Sequence, residues 1–428
     1  MTSVSTAQAS AVRNYALVTA AYWGFTITDG AIRMLVLLHF HKLGFTPIQI
    51  AMLFLFYEIF GVVTNFLGGW IGSLFGLRLT LYGGIAIQIF GLVMLGVLNM
   101  QWPVWGQVAY VMTAQALAGI AKDLTKMSSK SAIRLVVPKE AESRLFRWVA
   151  MLTGSKNALK GVGFFVGAAL LQVFGELYGE ILGFRLANFV QAGALAVIFC
   201  SGALLPADMG KIKSKIPFKR LFSKSREINI LSAARFFLFG SRDVWFVVAL
   251  PVFLYDRLGW TFMQVGSYMA LWVIGYGIIQ FLAPQLLGGG RPGRAPKART
   301  VQIWTFTLTA VPALIATAFM AGLPPEWVVT GGLILFGIVF AFNSAVHSYL
   351  VLAYTEDDDV ALNVGFYYMA NSGGRLLGTV TSGILFQFYG LEGCLWFSTL
   401  LILAAGLFSL KLPDPSKTLV EWVVKPGD

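Results

Sequence analysis

LGFTPIQIA at Leu43–Ala51 returns as LGWTFMQVG at Leu258–Gly266, with four of nine positions identical. The two blocks begin 215 residues apart, at Leu43 and Leu258. Each follows one long apolar stretch and leads into the next. One short match is weak evidence by itself. Its recurrence at equivalent points of two series of apolar stretches points to a chain built from two related halves.

Outward from these blocks, apolar stretches fall at 15–40, 47–73, 78–99, 104–130, 146–174 and 183–205, and again at 230–255, 262–287, 300–322, 327–353, 362–388 and 392–410. Stretches of about 20 apolar residues have the length of membrane-crossing helices. Composition agrees: the 428 residues are 57% hydrophobic and only 12% charged, against about 25% charged in soluble domains. The expected fold is therefore an all-α membrane protein of twelve transmembrane helices in two pseudo-symmetric six-helix bundles. The bundles are expected at 1–205 and 230–428, the second with a short tail, joined by a basic linker at 206–229. Residues 1–13 are polar and small, and the first apolar stretch is too long for a signal peptide and lacks its cleavage site.

The net charge of +12 invites a nucleic-acid reading, but its distribution follows membrane topology instead. Lys211, Lys213, Lys215, Lys219, Arg220, Lys224 and Arg226 crowd the central connection, and the loop 288–299 (GGGRPGRAPKAR) holds four more basic residues. Lys139, Arg144 and Arg147 follow the fourth span, while the opposite side shows Lys42, Arg185 and Arg257. The excess of Lys and Arg marks the cytoplasmic side, so both termini are expected there, in a multi-pass plasma (inner) membrane protein.

Basic residues also lie inside the spans. Arg33, Lys122, Lys126, Lys156, Lys160, Arg235, Arg242 and Arg375 are opposed there by Asp29, Glu58, Asp123 and Asp243. A charge at membrane depth costs about 3 kcal/mol or more unless it is paired or lines a wet cavity. The surplus of cations therefore points to a pathway for a small, multiply charged anion. Asp29 and Arg33, four apart in TDGAIRMLVLLHF, share a helical face and can pair. The equivalent span of the second half carries Arg242-Asp243, so two arginines can clamp a phosphate-like group from opposite sides.

Arg235 lies seven residues before Arg242, and snorkelling to the inner interface is its alternative role. Arg375 in NSGGRLLG is too deep for that, with Gly373, Gly374 and Gly378 leaving room around it. On span four, Lys122, Lys126, Lys130 and Arg134 recur every four residues, the last two as anchors at its inner end, and Asp123 can pair with Lys126. Span five adds Lys156 and Lys160. Glu58 is either a proton carrier or a fixed salt-bridge partner.

Other chemistry finds little support. His39, His41 and His347 lack carboxylate or thiol company for a metal. Cys200 and Cys394 read as buried small hydrophobes. No nucleotide-binding G-x-x-x-x-G-K-[ST] is present, and no nucleophile–base pair suggests an enzyme. No cofactor is expected, and energy must come from an ion gradient or from the solute's own gradient.

Twelve spans in two halves with a basic central loop resemble the major facilitator superfamily. Its motif G-x-L-x-D-R-x-G-R-[RK] corresponds here to GWIGSLFGLR, where Gly69, Gly76 and Arg78 fit and Ser73 replaces the acidic residue. More specifically, Asn14–Gly44, Leu55–Gly72 and AQALAGIAKDLTKMSSKSAI at Ala114–Ile133 resemble the ArsJ family of organoarsenical efflux permeases. That resemblance implies export of 1-arseno-3-phosphoglycerate, a functional link to glyceraldehyde-3-phosphate dehydrogenase, which makes the ester, and arsenate resistance. It fits secondary active efflux by a monomer through alternating access, proton-coupled, and the charge pattern leaves Asp29, Glu58, Asp123 and Asp243 as proton-coupling or charge-pairing groups. The alternatives are an organophosphate or inorganic phosphate transporter of the same superfamily, or a non-transporting membrane sensor.

Overall fold

The computed structural model describes residues 2–75, 77–132, 142–205, 225–287, 296–354 and 360–414. The described residues are helical, with no strand among them. The first series of helices is α1 (Thr2–Lys42), α2 (Pro47–Leu53), α3 (Leu55–Phe75), α4 (Leu77–Gly96), α5 (Val104–Ala132), α6 (Glu142–Tyr178) and α7 (Glu180–Cys200). The second is α8 (Arg226–Phe246), α9 (Ala249–Asp256), α10 (Phe262–Leu286), α11 (Ala298–Met320), α12 (Pro325–Ala353) and α13 (Val360–Ser409).

Among the described residues, nine segments are long and apolar enough to cross a membrane. One of them, Asn363–Ser409, is 47 residues long. At about 1.5 Å per residue it is roughly twice the thickness of a bilayer core, and Gly390 bends it with φ 65° and ψ −164°. Neither α1 nor α5 is among the nine; these helices carry several of the charges described below.

The repeat noted in the sequence is built the same way twice. Gly44 and Gly259 both adopt positive φ, 87° and 67°, a conformation cheap only for glycine. Thr46 and Thr261 then cap α2 and α10, each in a reciprocal capping box with the glutamine three residues on, Gln49 or Gln264. The next helix-terminal amides are also met alike: Ile48 N donates to Gln387 Oε1 at 3.3 Å, and Met263 N to Gln172 Oε1 at 3.0 Å. Both residues of the first bond return in the second at the 215-residue offset, with donor and acceptor in opposite halves. The two series therefore meet through matching contacts, α13 on α2 and α3, and α6 on α10.

Two expected spans are interrupted. The stretch 47–73 breaks at Phe54, between α2 and α3. The stretch 230–255 breaks at Val247–Val248, between α8 and α9. Pro251 accounts for the second break, because its ring clashes with the carbonyl four residues earlier, that of Val247. Ser382 Oγ of α13 accepts the freed amides of Val248 and Ala249 at 3.4 and 3.2 Å.

Close backbone contact sets the helix pairs that carry the charges. A Cβ on Gly163 or Gly167 of α6 would overlap the carbonyls of Ile27 or Ala31 on α1. A Cβ on Gly374 of α13 would overlap the Phe236 carbonyl of α8. These glycines let helices touch without side chains between them. The reading of Gly374 and Gly378 as open space around Arg375 is thereby corrected: both are filled by α8, and the Gly373 position faces the Phe236 ring.

Cys394 is buried, but Cys200 is exposed, which corrects the expectation of two buried thiols. The expectations for Gly76, Arg134, Lys139, residues 206–224 and residues 288–295 lie outside the described residues. So do the side chains of Ser73, Lys130, Arg144 and Arg147.

Candidate functional site

The charged residues of the spans converge where α1, α3, α5, α6, α8 and α13 meet. Glu58 of α3, wholly buried, is the centre. Its Oε1 accepts from Arg33 NH2 of α1 at 3.2 Å and from Arg375 NH2 of α13 at 2.6 Å. Arg375 also donates from Nε to Asp243 Oδ2 at 3.2 Å, and the other oxygen of Asp243 is held by Arg242 at 2.5 and 2.6 Å. The result is one chain of alternating charge, Arg33–Glu58–Arg375–Asp243–Arg242, that passes from the first series of helices to the second.

Two side groups flank it. Asp29 accepts from Tyr57 OH at 2.8 Å and faces Lys160 Nζ at 3.6 Å. Asp123 is held by Lys126 at 2.6 Å, with Lys122 at 3.8 Å. Asn65 of α3 ties this group down: its Oδ1 accepts from Lys126 at 2.6 Å, and its Nδ2 donates to Asp123 at 3.1 Å and to Ser372 of α13 at 3.0 Å. Lys122 Nζ sits 4.1 Å above the Tyr57 ring and makes no hydrogen bond among the described residues. Lys156, half-buried, lies one helical turn from Lys160 on α6.

The internal pseudo-symmetry reaches into this site. Lys160 and Arg375 are 215 residues apart, and each faces an aspartate on its glycine-packed neighbour, Asp29 on α1 and Asp243 on α8. Asn157 and Ser372 have the same spacing, as do Asn65 and Gln280. The Asn65–Ser372 bond across the halves is accordingly matched by Asn157 Nδ2 to Gln280 Oε1 at 3.3 Å.

The structure thus brings together Asp29, Arg33, Glu58, Lys122, Asp123, Lys126, Lys160, Arg242, Asp243 and Arg375, and it changes the expected pairing. Arg33 and Asp29 share a helix face, yet they are not bonded to each other: Arg33 meets Glu58 of α3, and Asp29 meets Tyr57 of α3 and Lys160 of α6. Glu58 does not stand alone among apolar residues: it is bridged to Arg33 and Arg375. Arg235 does not snorkel: it is 4% exposed, stacked 3.9 Å from the centre of the Phe239 ring and bonded to Asn371 and Ser344. His39 stacks on Phe184 at 4.1 Å, and no group of three potential metal ligands occurs among the described residues. Tyr57, Asn65, Ser344 and Ser372 were missed. Their signal in the sequence was polar spacing from the charges, seven residues from Glu58 to Asn65 and three from Ser372 to Arg375.

Even with Lys156 left aside, seven cations of this interior face four carboxylates among the described residues. An interior of mixed charge with a positive excess, set between two related helical series, defines a membrane transporter for a small solute. The chain matches the Major Facilitator Superfamily model over residues 16–297 and 231–421 and belongs to that family, whose members are transporters rather than enzymes.

Solved structures agree on the fold. A structure described under substrate recognition in proton-dependent oligopeptide transporters superposes with a TM-score of 0.70 at 16% identity, covering 93% of this chain and 97% of that one. A bacterial homologue of the iron transporter ferroportin superposes with 0.62 at 14% identity in its outward-facing state, covering 92% and 99%, and with 0.64 at 15% in its inward-facing state, covering 95% and 99%. No curated protein matches the sequence significantly.

Proposed function

We propose that this protein is a secondary active exporter of a phosphorylated organic anion, with 1-arseno-3-phosphoglycerate as its substrate and protons as the coupling ion. The observation that carries the reading is Glu58 Oε1, an anionic oxygen held between Arg33 of one half and Arg375 of the other. An oxyanion of the substrate takes the place of this carboxylate oxygen. Arg33, Arg242 and Arg375 then bind it through charge-assisted, two-pronged hydrogen bonds, and Lys122, Lys126, Lys156 and Lys160 supply the surrounding positive field. Glu58 and Asp29 are the groups assigned to proton exchange.

The choice of the arsenate ester rests on the stretches that resemble the ArsJ family. The architecture that goes with it is twelve crossings, with bundles at 1–205 and 230–428, a cytoplasmic linker at 206–229, cytoplasmic termini and a location in the plasma membrane.

The test is accumulation in everted vesicles of the ester made in situ by glyceraldehyde-3-phosphate dehydrogenase, with and without a pH gradient. Replacing Arg33, Arg242 or Arg375 with Gln should reduce uptake at least about tenfold, the loss expected from one charged hydrogen bond, in protein that still reaches the membrane. Exchange of free phosphate without any ester uptake would overturn the substrate assignment.

A further inference from the structure

Arg235 stands apart from the other interior arginines. Arg33, Arg242 and Arg375 each bond a carboxylate. Arg235 bonds neutral oxygens instead: its Nε donates to Asn371 Oδ1 at 2.9 Å and its NH1 to Ser344 Oγ at 3.0 Å. Neutral partners recover only part of the cost of burying a cation.

Around Ser344 the donors outnumber the acceptors. Its hydroxyl oxygen is approached by Arg235 NH1, by Tyr276 OH at 3.2 Å and by Gln280 Nε2 at 3.3 Å. A serine hydroxyl has two acceptor positions, so three donors share one small oxygen, two of them at long range. Gln280 is oriented for this role because its Oε1 accepts from Asn157 of the other half. His347, one turn beyond Ser344 on α12, is wholly buried, and neither ring nitrogen has a hydrogen-bond partner among the described residues.

Arg235 also stands close to the arginine clamp. Arg235 and Arg242 lie two turns apart on α8, about 10 Å of rise. Both guanidinium groups approach the same ring, Phe239, at 3.9 and 4.8 Å from its centre. The two charges therefore stand no further apart than the sum of these distances.

We propose that Arg235, Tyr276, Gln280 and Ser344 form a second anion station, which holds the far acidic group of a two-ended anion while the arginine clamp holds the near one. The proposal rests on the reading of the clamp as an anion site, and it adds the substrate class: a short chain with an acidic group at each end. A lone oxyanion engages one station, whereas a two-ended anion engages both without separate cost for its second contact.

Two probes measured by thermal stabilisation of the purified full-length protein test this. One is 3-phosphoglycerate, acidic at both ends; the other is inorganic phosphate. The wild type should bind 3-phosphoglycerate the more tightly. Arg235→Gln should shift the ratio of the two half-saturating concentrations about tenfold against 3-phosphoglycerate, as loss of one charged contact requires. Tyr276→Phe keeps the ring stacked on Trp272, removes one donor and should shift the ratio in the same direction. It decides the matter if Arg235→Gln does not fold. An unchanged ratio in both variants overturns the second station and leaves the clamp standing. If the wild type binds neither probe, the clamp reading fails and this proposal with it.

Discussion

Arg375 bonds Glu58 and Asp243 at once, so its removal leaves two buried carboxylates short of a partner. Breaking one member of a buried pair costs about 3–5 kcal/mol, much of it from the stranded charge. Arg375→Gln and Glu58→Gln should therefore each lower the melting temperature strongly, while the double variant should lose less than the sum of the two, because neither is left facing a missing partner in the other, although Asp243 and Arg33 each still lack one. Transport should stay absent in all three. Strictly additive losses in the double variant, read by melting in detergent, would show that the two groups are not coupled. That these charges lie within the apolar spans was legible in the sequence, because an ionised side chain stands out there. Their partners were not. Helical phase places Asp29 and Arg33 on one face, but which cation meets which carboxylate depends on the helices packed alongside. Asp29 meets Lys160 and Arg33 meets Glu58, across contacts that no local spacing encodes.

At the scale of the helix, the positions of the charges depend on glycine. A Cβ on Gly374 would overlap the Phe236 carbonyl, whereas one on Gly275 of α10 meets nothing within 4 Å. An alanine in open space gains up to about 1 kcal/mol of helix propensity over glycine. Gly275→Ala should thus be neutral or mildly stabilising. Gly374→Ala should instead force α8 and α13 apart, pull Arg375 away from Asp243 and lower both stability and transport. Equal melting temperatures for the two variants would refute this account of the α8–α13 contact. The ends of the elements were partly readable. T-x-x-Q after a glycine occurs in both copies of the repeat, and it builds the cap of α2 and of α10. The break at Val247–Val248 was missed although Pro251 was in plain view, because an apolar run of the right length hides a displaced amide. The acceptor for that amide, Ser382, comes from a helix more than a hundred residues away.

For the whole molecule, the charged centre lies between two layers of contact that join the halves. One layer is Asn65–Ser372 with Asn157–Gln280. The other is Ile48–Gln387 with Met263–Gln172, together with His41 Nε2 and Asp256 Oδ1 at 2.8 Å. His41 and Asp256 are themselves 215 residues apart, so the two halves grip each other at one equivalent position, beside the pseudo-axis. Along α2 and α3, Ile48 and Asn65 are separated by about 25 Å of helical rise, with Glu58 between them. A carrier that exposes its centre to one side at a time must open these layers in turn. Cysteines at His41 and Asp256, joined by a short thiol cross-linker in a Cys200→Ser background to remove the exposed thiol, should therefore stop transport, and cleavage of the linker should restore it. Cysteines at Asn65 and Ser372 are the companion lock at the other layer, although Asn65 also holds Lys126 and Asp123, so recovery there should be partial. Undiminished flux through a fully cross-linked His41–Asp256 pair would mean that the halves do not separate at that end, and the solute would then have to reach Glu58 by a route that leaves this layer closed.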